Sequence, residues 1–129
     1  MGDAIPPPGA ERDAEIARAL GWTTRRCPPD AGIQFFMVVD VDGREVDHWQ
    51  APDRSLRKLP PAYSTDPAAC DQLLEEMVRR GWTLCLQTLR TGGYYCRMDR
   101  YGALSSHGEG PKISDCVSAA ALLALRGAR

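Results

Sequence analysis

A short run of hydroxyl and acidic residues stands directly before the best-signalled helix of the sequence. The run is Tyr63-Ser64-Thr65-Asp66, and Pro67 follows it. Open N–H groups and the dipole at a helix N-terminus favour negative charge, so Tyr63, Ser64 and Thr65 are candidate contacts for a ligand phosphate. In the alternative interpretation the run only starts the helix, with Asp66 as the N-cap and Tyr63 as a hydrophobic staple. The negative charge of Asp66 would repel a phosphate, which favours the capping role.

A glycine-rich stretch before the last predicted helix is a second candidate anion site. Gly108 and Gly110 lie in the sequence SSHGEGPK, and Lys112 falls in the first turn of the helix. Backbone N–H groups of such a loop can cradle a phosphate, and the lysine would add a positive charge. The spacing does not match GxxxxGK[ST], which excludes a P-loop. The alternative is a flexible loop that needs glycine only for its turn geometry.

The third candidate is a strand face that mixes aromatic and charged side chains. In the predicted strand YYCRMDRY, the residues Tyr95, Arg97 and Tyr101 fall on the face opposite to the apolar one. Aromatic rings and guanidinium groups suit a nucleotide base or the surface of a protein partner. We therefore include these three residues among the candidate ligand contacts.

Catalytic and metal-binding patterns do not stand out in the sequence. His48 and His107 are far apart, and neither has a cysteine or histidine at ligand spacing, which argues against zinc. Glu75 and Glu76 fall along an exposed helix face, which disfavours paired acid–base carboxylates. No G-x-S-x-G, H-E-x-x-H or Cys-His-Asp order stands out. We therefore expect a protein that is not an enzyme and that holds no metal and no cofactor.

Composition and charge describe one domain without bulk attraction to nucleic acid or lipid. The 129 residues are 43% apolar and 26% charged, and 16 basic against 17 acidic side chains leave a net charge of −1. This balance disfavours nucleic acid as a partner. Apolar runs fall short of the ~20 residues of a membrane helix, and the N-terminus lacks the features of a signal peptide. Five cysteines without a CxxC pair indicate a reducing, cytoplasmic compartment.

The first half of the chain predicts one helix and one hairpin. Residues 1–10, with three consecutive prolines, predict a disordered lead. Apolar periodicity then predicts a helix at 11–20, and a β-rich run at 33–49 predicts a hairpin that turns at Asp42-Gly43. The arm 50–65 carries three prolines and four charges and predicts no regular element.

A second hairpin follows the helix predicted at 67–80. If residues 91–93 are its three-residue loop, Thr88 faces Cys96 and Leu86 faces Met98. One strand face then collects the apolar side chains, which are Trp82, Leu84, Leu86, Cys96 and Met98. A two-residue loop would scatter that set, so the three-residue loop is preferred.

A short third strand at 103–108 and a helix at 111–126 complete the order α-ββ-loop-α-ββ(β)-α. This order predicts a single α+β domain at 11–126. In it, an antiparallel sheet built from two hairpins is layered with three short helices, which makes an α/β sandwich.

Several segments of the sequence together resemble a known family. They are PPAYSTD, the amphipathic helix that ends in RRGW, the two-strand segment, and DCVSAAALLAL, with EIARALGW upstream. Over roughly 13–126 the chain resembles the phage ABA-sandwich domain family, which comprises small proteins of bacteriophages and prophages. The chain departs from the family pattern in its basic, proline-bearing arm and in the GPKIS start of its closing helix. The resemblance implies an α/β sandwich and a viral or prophage source, and it transfers no catalytic residue.

We therefore expect a non-enzymatic phage or prophage accessory protein in the cytoplasm of a bacterial host. Its expected task is to occupy a host molecule, either a small anionic or nucleotide-like ligand or a host defence protein. One alternative is a double-stranded RNA-binding module, because the order α-β-β-β-α from the second helix onward is that module's topology. Lys112 is the only lysine at the start of the last helix and Asp115 is close to it, which weakens this alternative. Another alternative is a structural module that forms a homo-oligomer through its hairpin edges.

Overall fold

The computed structural model describes residues 4–25 and 48–127, and it confirms the predicted α+β class. Three helices and two three-stranded antiparallel sheets make up these residues. The helices are α1 (Ala10–Ala19), α2 (Pro67–Arg79) and α3 (Ile113–Gly127). The strands are β1 (Thr23–Arg25), β2 (His48–Gln50), β3 (Leu56–Arg57), β4 (Thr83–Thr88), β5 (Tyr94–Asp99) and β6 (Ser106–Gly110).

The helices begin and end close to the residues that their sequence signals predict. Asp66 has an extended backbone and accepts a hydrogen bond from the N–H of Ala68, while Pro67 takes the first position of α2, where no donor is needed. α1 and α2 are each followed by a glycine with a positive φ, which is 102° at Gly21 and 94° at Gly81. Only glycine takes this conformation readily, so these two positions end the helices.

The larger sheet has the strand order β4-β5-β6 and carries the predicted apolar face. Leu84 lies opposite Met98, and Leu86 lies opposite Cys96. Cys96 and Met98 are fully buried, and Trp82, which directly precedes β4, is also part of the core. The shared apolar face is therefore confirmed, but the pairing of individual residues differs by two positions from the prediction.

The loop between β4 and β5 explains the difference in pairing. The N–H of Leu89 donates to Gly93 O at 3.0 Å, and the N–H of Gly92 donates to Leu89 O at 3.0 Å. The three-residue loop is thus 90–92 rather than 91–93, with Gly92 at φ 83° in the left-handed position that such loops need. Moving the loop by one residue moves the register by two, and a shift of two keeps every side chain on its predicted face.

The smaller sheet joins β1, β2 and β3. β2 pairs antiparallel with β1 on one side and with β3 on the other. β3 lies inside the arm 50–65, so the prediction of no regular element there is wrong at Leu56–Arg57. The turn predicted at Asp42-Gly43 lies outside the described residues. The weakly signalled third strand of the larger sheet exists, as β6, at slightly later positions than predicted.

α3 is the central element of the fold. It contacts β5, β6, α1 and α2, and 11 of its 15 residues are buried. Alanine and serine supply much of this burial, and their small side chains let neighbouring elements approach closely. The core formed around α3 covers β5 and β6 better than β4, where Leu84 and Leu86 remain 37% and 41% exposed.

Candidate functional site

A cleft of about 540 Å³ opens at the N-terminal ends of α2 and α3. Its polar side chains are Thr65, Asp71, Lys112 and Ser114, and Tyr94 contributes an aromatic ring to its lining. The volume falls within the ~300–1,000 Å³ that is usual for small-molecule sites. The structure therefore brings Thr65 and Lys112, which come from two separate candidate stretches, to one cleft.

Local capping interactions place both helix ends at this cleft. Pro67, behind its N-cap Asp66, starts α2. At α3 the carboxylate of Asp115 accepts a hydrogen bond from the N–H of Lys112 at 2.9 Å, which holds the first turn in place. Tyr94 begins β5 and lies on the same face as the buried side chains of that strand, because side chains alternate along a strand.

The cleft carries one positive and one negative side chain. Lys112 supplies the positive charge, and the first-turn N–H groups of α3 add the positive end of a helix dipole. Asp71 supplies a hydrogen-bond acceptor, and the ring of Tyr94 supplies an apolar surface. Asp66 and Asp115 already accept from N–H groups next to the cleft, and their carboxylates oppose a high negative charge on a ligand. The arrangement suits a ligand with one anionic group, one donor group and a flat apolar part.

Tyr63 and Ser64 lie in the core, so the structure does not support their prediction as ligand contacts. Tyr63 is 4% exposed, and burial raises its pKa, while the nearby side chain of Trp22 acts in the opposite direction. Ser64 is fully buried, and its hydroxyl and its N–H donate to Asp13 Oδ1 at 2.6 and 2.8 Å. Its Oγ accepts from the N–H of Gly9 at 2.8 Å. A ligand can reach neither side chain without opening the packing, and Ser64 ties α1 to the segment before α2 through Asp13.

A buried arginine links the N-terminal lead to the start of α3. Arg12 Nε donates to Pro6 O at 2.7 Å, and Arg12 Nη1 donates to Asp115 O and Ser118 Oγ, both at 3.0 Å. Burial lowers the pKa of Arg12, and the carboxylates of Asp115 and Asp13 act in the opposite direction. The lead that the sequence predicts as disordered is therefore tied to the domain at Pro6.

Gly108 and Gly110 are packing positions in β6 and do not form a phosphate-binding loop. A Cβ atom on Gly108 would lie 2.5 Å from Cys116 O and 2.7 Å from Ala119 Cβ, and one on Gly110 would lie 2.4 Å from Asp115 Cβ. Neither glycine has a positive φ, so turn geometry does not require them either. Both interpretations of this stretch as a loop are wrong at these two positions, because glycine is needed there for α3 to lie close against the strand.

Tyr95 and Arg97 lie on the outer face of the larger sheet, opposite to the face that borders the cleft. Tyr95 stacks on His107 with ring centroids 6.0 Å apart, and Arg97 Nε lies 3.1 Å from Asp99 Oδ2. Tyr101 follows β5 in a turn and is fully exposed. The structure does not bring these three predicted residues to the cleft. Their role as ligand contacts stays a prediction for a separate surface.

The buried thiols around the cleft are protonated at neutral pH. Burial raises the pKa of Cys70 to about 11 and that of Cys96 to about 12, and it also raises the pKa of Cys116. Cys70 lines the cleft, so its sulfur is a neutral, apolar part of the wall rather than a thiolate. Within residues 4–25 and 48–127, no three side chains of the metal-binding types come together. The helices in these ranges are also too short or too polar to cross a membrane.

Comparison with known proteins yields no family model, no curated protein and no solved structure that matches this chain. The resemblance to the phage ABA-sandwich family stays a prediction that depends on the sequence segments themselves. The observed α+β fold agrees with it. Unrelated proteins share that fold class, so the agreement does not identify the family.

Proposed function

We propose that this chain is a non-enzymatic phage or prophage accessory protein that sequesters a small nucleotide-like ligand of its bacterial host. The single observation that supports this is the cleft at the two helix N-termini, where Lys112 and Tyr94 line one volume. Sequestration needs a complementary shape and charge but no reacting group. Removal of a signalling nucleotide would serve as an anti-defence function in the host cytoplasm.

The charges at the cleft indicate which nucleotides fit. A base can lie against the ring of Tyr94 and donate a hydrogen bond to Asp71, while a phosphate approaches Lys112 and the first turn of α3. A phosphate diester, as in a cyclic nucleotide, carries a single negative charge. The carboxylates of Asp66 and Asp115 oppose the several charges of a triphosphate. We therefore expect cyclic nucleotides and monophosphates to bind more tightly than triphosphates.

Thermal unfolding in the presence of nucleotides tests this proposal. A panel of cyclic, mono-, di- and triphosphate nucleotides at millimolar concentration should contain at least one cyclic nucleotide or monophosphate that raises Tm. A ligand at 100 times its Kd stabilises the fold by about 2.7 kcal/mol, which corresponds to about 10 °C for a domain of this size. The absence of any shift across the panel would exclude a nucleotide as the bound molecule.

Two variants of the cleft and one control locate the binding site. Lys112→Ala removes the positive charge and Tyr94→Leu removes the aromatic surface, and each should abolish most of the ligand-induced shift. Arg79→Ala, an exposed basic residue at the end of α2 away from the cleft, is the control and should leave the shift intact. A shift that persists in both cleft variants would place the ligand elsewhere and contradict this site.

A double-stranded RNA-binding role is the second candidate, because the structure shows the order α2-β4-β5-β6-α3 with α2 and α3 in contact. Against it, Lys112 stands alone at the start of α3, Asp115 caps the same turn, and the net charge is −1. This role predicts an affinity that falls by about 0.9 log units per phosphate contact for each tenfold rise in salt. The absence of a mobility shift with duplex RNA at low salt would exclude it.

The phage or prophage source is the part of the proposal that the family resemblance supports. It predicts that the gene lies among other phage genes or beside host-defence genes. In a second variant of the proposal, the bound molecule is a host protein. This variant predicts that no nucleotide shifts Tm and that a host protein co-purifies with the chain. A location within a conventional metabolic operon would contradict the assignment to a phage.

A further inference from the structure

In the part of the chain that the structure describes, β4 is an edge strand of the larger sheet, and its own sequence carries none of the features that usually protect such an edge. Within residues 4–25 and 48–127 it pairs with β5 alone, and all six of its residues are exposed. Its sequence TLCLQT contains no charge and no proline, and its pairing with β5 runs from Thr83 to Thr88 without a bulge. Edge strands normally carry at least one of these features, because an unprotected edge pairs with other strands.

The hydrogen bonding of the hairpin shows which backbone groups face this open edge. The N–H of Leu89 donates across to β5 at Gly93 O. Because bonding alternates along an antiparallel strand, Cys85 directs its N–H and C=O toward β5, and Leu84 and Leu86 direct theirs outward. The same two leucines are 37% and 41% exposed on the apolar face. Backbone groups that pair with no other described strand and exposed apolar side chains therefore coincide at Leu84 and Leu86.

We infer that a second copy of this chain occupies the edge, with the two β4 strands antiparallel around a two-fold axis at Cys85. Leu84 then lies opposite Leu86 of the partner subunit, and the symmetric pair repeats the contact, which gives about four main-chain hydrogen bonds. All four leucines fall on one face of a continuous six-stranded sheet. The four leucines stay on one face only if even-numbered residues of β4 pair with even-numbered residues of the partner strand. Among these registers, the axis at Cys85 places leucine opposite leucine at both positions.

The occupant is a second copy because the edge is complementary to itself. An antiparallel strand that pairs with its own copy closes a dimer with one interface and leaves no further open edge at β4. The neutral composition of β4 means that no like charges face each other within the paired strands. Neither Leu84 nor Leu86 lines the cleft, so dimer formation is independent of the proposed ligand site.

Sedimentation or light scattering of the full chain tests the dimer. We expect twice the chain mass at micromolar to millimolar concentration. Leu86→Lys places two positive charges at the interface and should weaken association at least 100-fold. The fold should be retained, as judged by circular dichroism, because Leu86 is already 41% exposed. Val78→Lys, at another exposed apolar residue on α2, is the matched control and should leave the dimer intact. A monomer at all concentrations, or a dimer that tolerates Leu86→Lys, overturns the inference.

Cross-linking tests the register. Directly opposite residues of a non-hydrogen-bonded pair have Cα atoms about 4.5 Å apart, which is within the range of a disulfide. With Cys27 replaced by serine, diamide should oxidise the two exposed Cys85 thiols to an intermolecular disulfide and itself be reduced to the hydrazine. The product should disappear in Cys85→Ser, since the other described cysteines are buried. A dimer that does not cross-link in this way has a different axis and overturns the proposed pairing.

Discussion

Replacing Gly108 by alanine measures how closely α3 lies against β6. The added Cβ would lie 2.5 Å from Cys116 O, 2.7 Å from Ala119 Cβ and 2.9 Å from Ala120 N. Ordinary contact begins at 3.4 Å, so strand and helix must separate by about 0.9 Å. Two of the three atoms belong to the backbone of a helix that is packed against four other elements, so they cannot rotate away. Overpacking of a core costs ~1–3 kcal/mol, and we expect a loss of about 3 kcal/mol here.

Urea and thermal unfolding of Gly108→Ala and of a control variant measure this loss. A loss of about 3 kcal/mol lowers Tm by about 10 °C in a domain of this size. Gly127→Ala is the control, because a Cβ at Gly127 meets no atom within 4 Å and alanine favours the end of a helix. It should unfold at the wild-type Tm or slightly above. If Gly108→Ala stays within about 0.5 kcal/mol of wild type, the close contact between α3 and β6 is refuted.

Two further predictions concern the buried polar and thiol groups. Ser64→Ala removes the two hydrogen bonds of the Ser64 hydroxyl, which donates to Asp13 Oδ1 and accepts from the N–H of Gly9. The loss should cost about 1–3 kcal/mol in urea unfolding. Thr65→Ala, at an exposed residue, should change the free energy of unfolding by less than about 0.5 kcal/mol. Equal losses in the two variants would contradict the buried network. Burial raises the pKa of Cys70 to about 11 and that of Cys96 to about 12, against 9.0 in the unfolded chain. Because the folded state holds these protons more tightly, the stabilisation is full below pH 9 and is lost as the pH rises to 11 and 12. The free energy of unfolding should fall by up to about 1.4 kcal/mol per thiol per pH unit above pH 9, and Cys96→Ala should flatten this fall.

The helices could be predicted from the sequence because their signals are local. α2 shows this best: the acceptor at Asp66, the proline at Pro67 and the terminating Gly81 all lie within or next to the element that they define. The apolar face of the second hairpin was predictable for a similar reason, since it depends only on the alternation of side chains. The register of the hairpin was not predictable in this way. A loop placed one residue too late changes every residue pair between β4 and β5 but leaves each side chain on the same face.

Long-range packing decides the surroundings of several residues that were predicted from local patterns alone. Ser64 meets Asp13 across 51 positions, and Arg12 meets Asp115 across 103 positions, so no local pattern announces either contact. Gly108 precedes a helix and a lysine, as a glycine in a phosphate-binding loop would. Its close contact with α3 follows from the tertiary packing and has no local sequence signal. The cleft was recovered in part, through Thr65 and Lys112, because both stand next to well-signalled helix starts.

The acid residues that start the helices also limit what the cleft can hold. A phosphate at a helix N-terminus binds by taking over free N–H groups, yet Asp66 accepts from the N–H of Ala68 and Asp115 accepts from the N–H of Lys112. Each cap thus occupies a donor that an anion would use and adds a negative charge beside it. Only the side chain of Lys112 and the remaining first-turn donors are left for an anionic group. The same carboxylates that make the two helix starts stable therefore select for a weakly charged ligand, and they count against a highly charged partner such as duplex RNA.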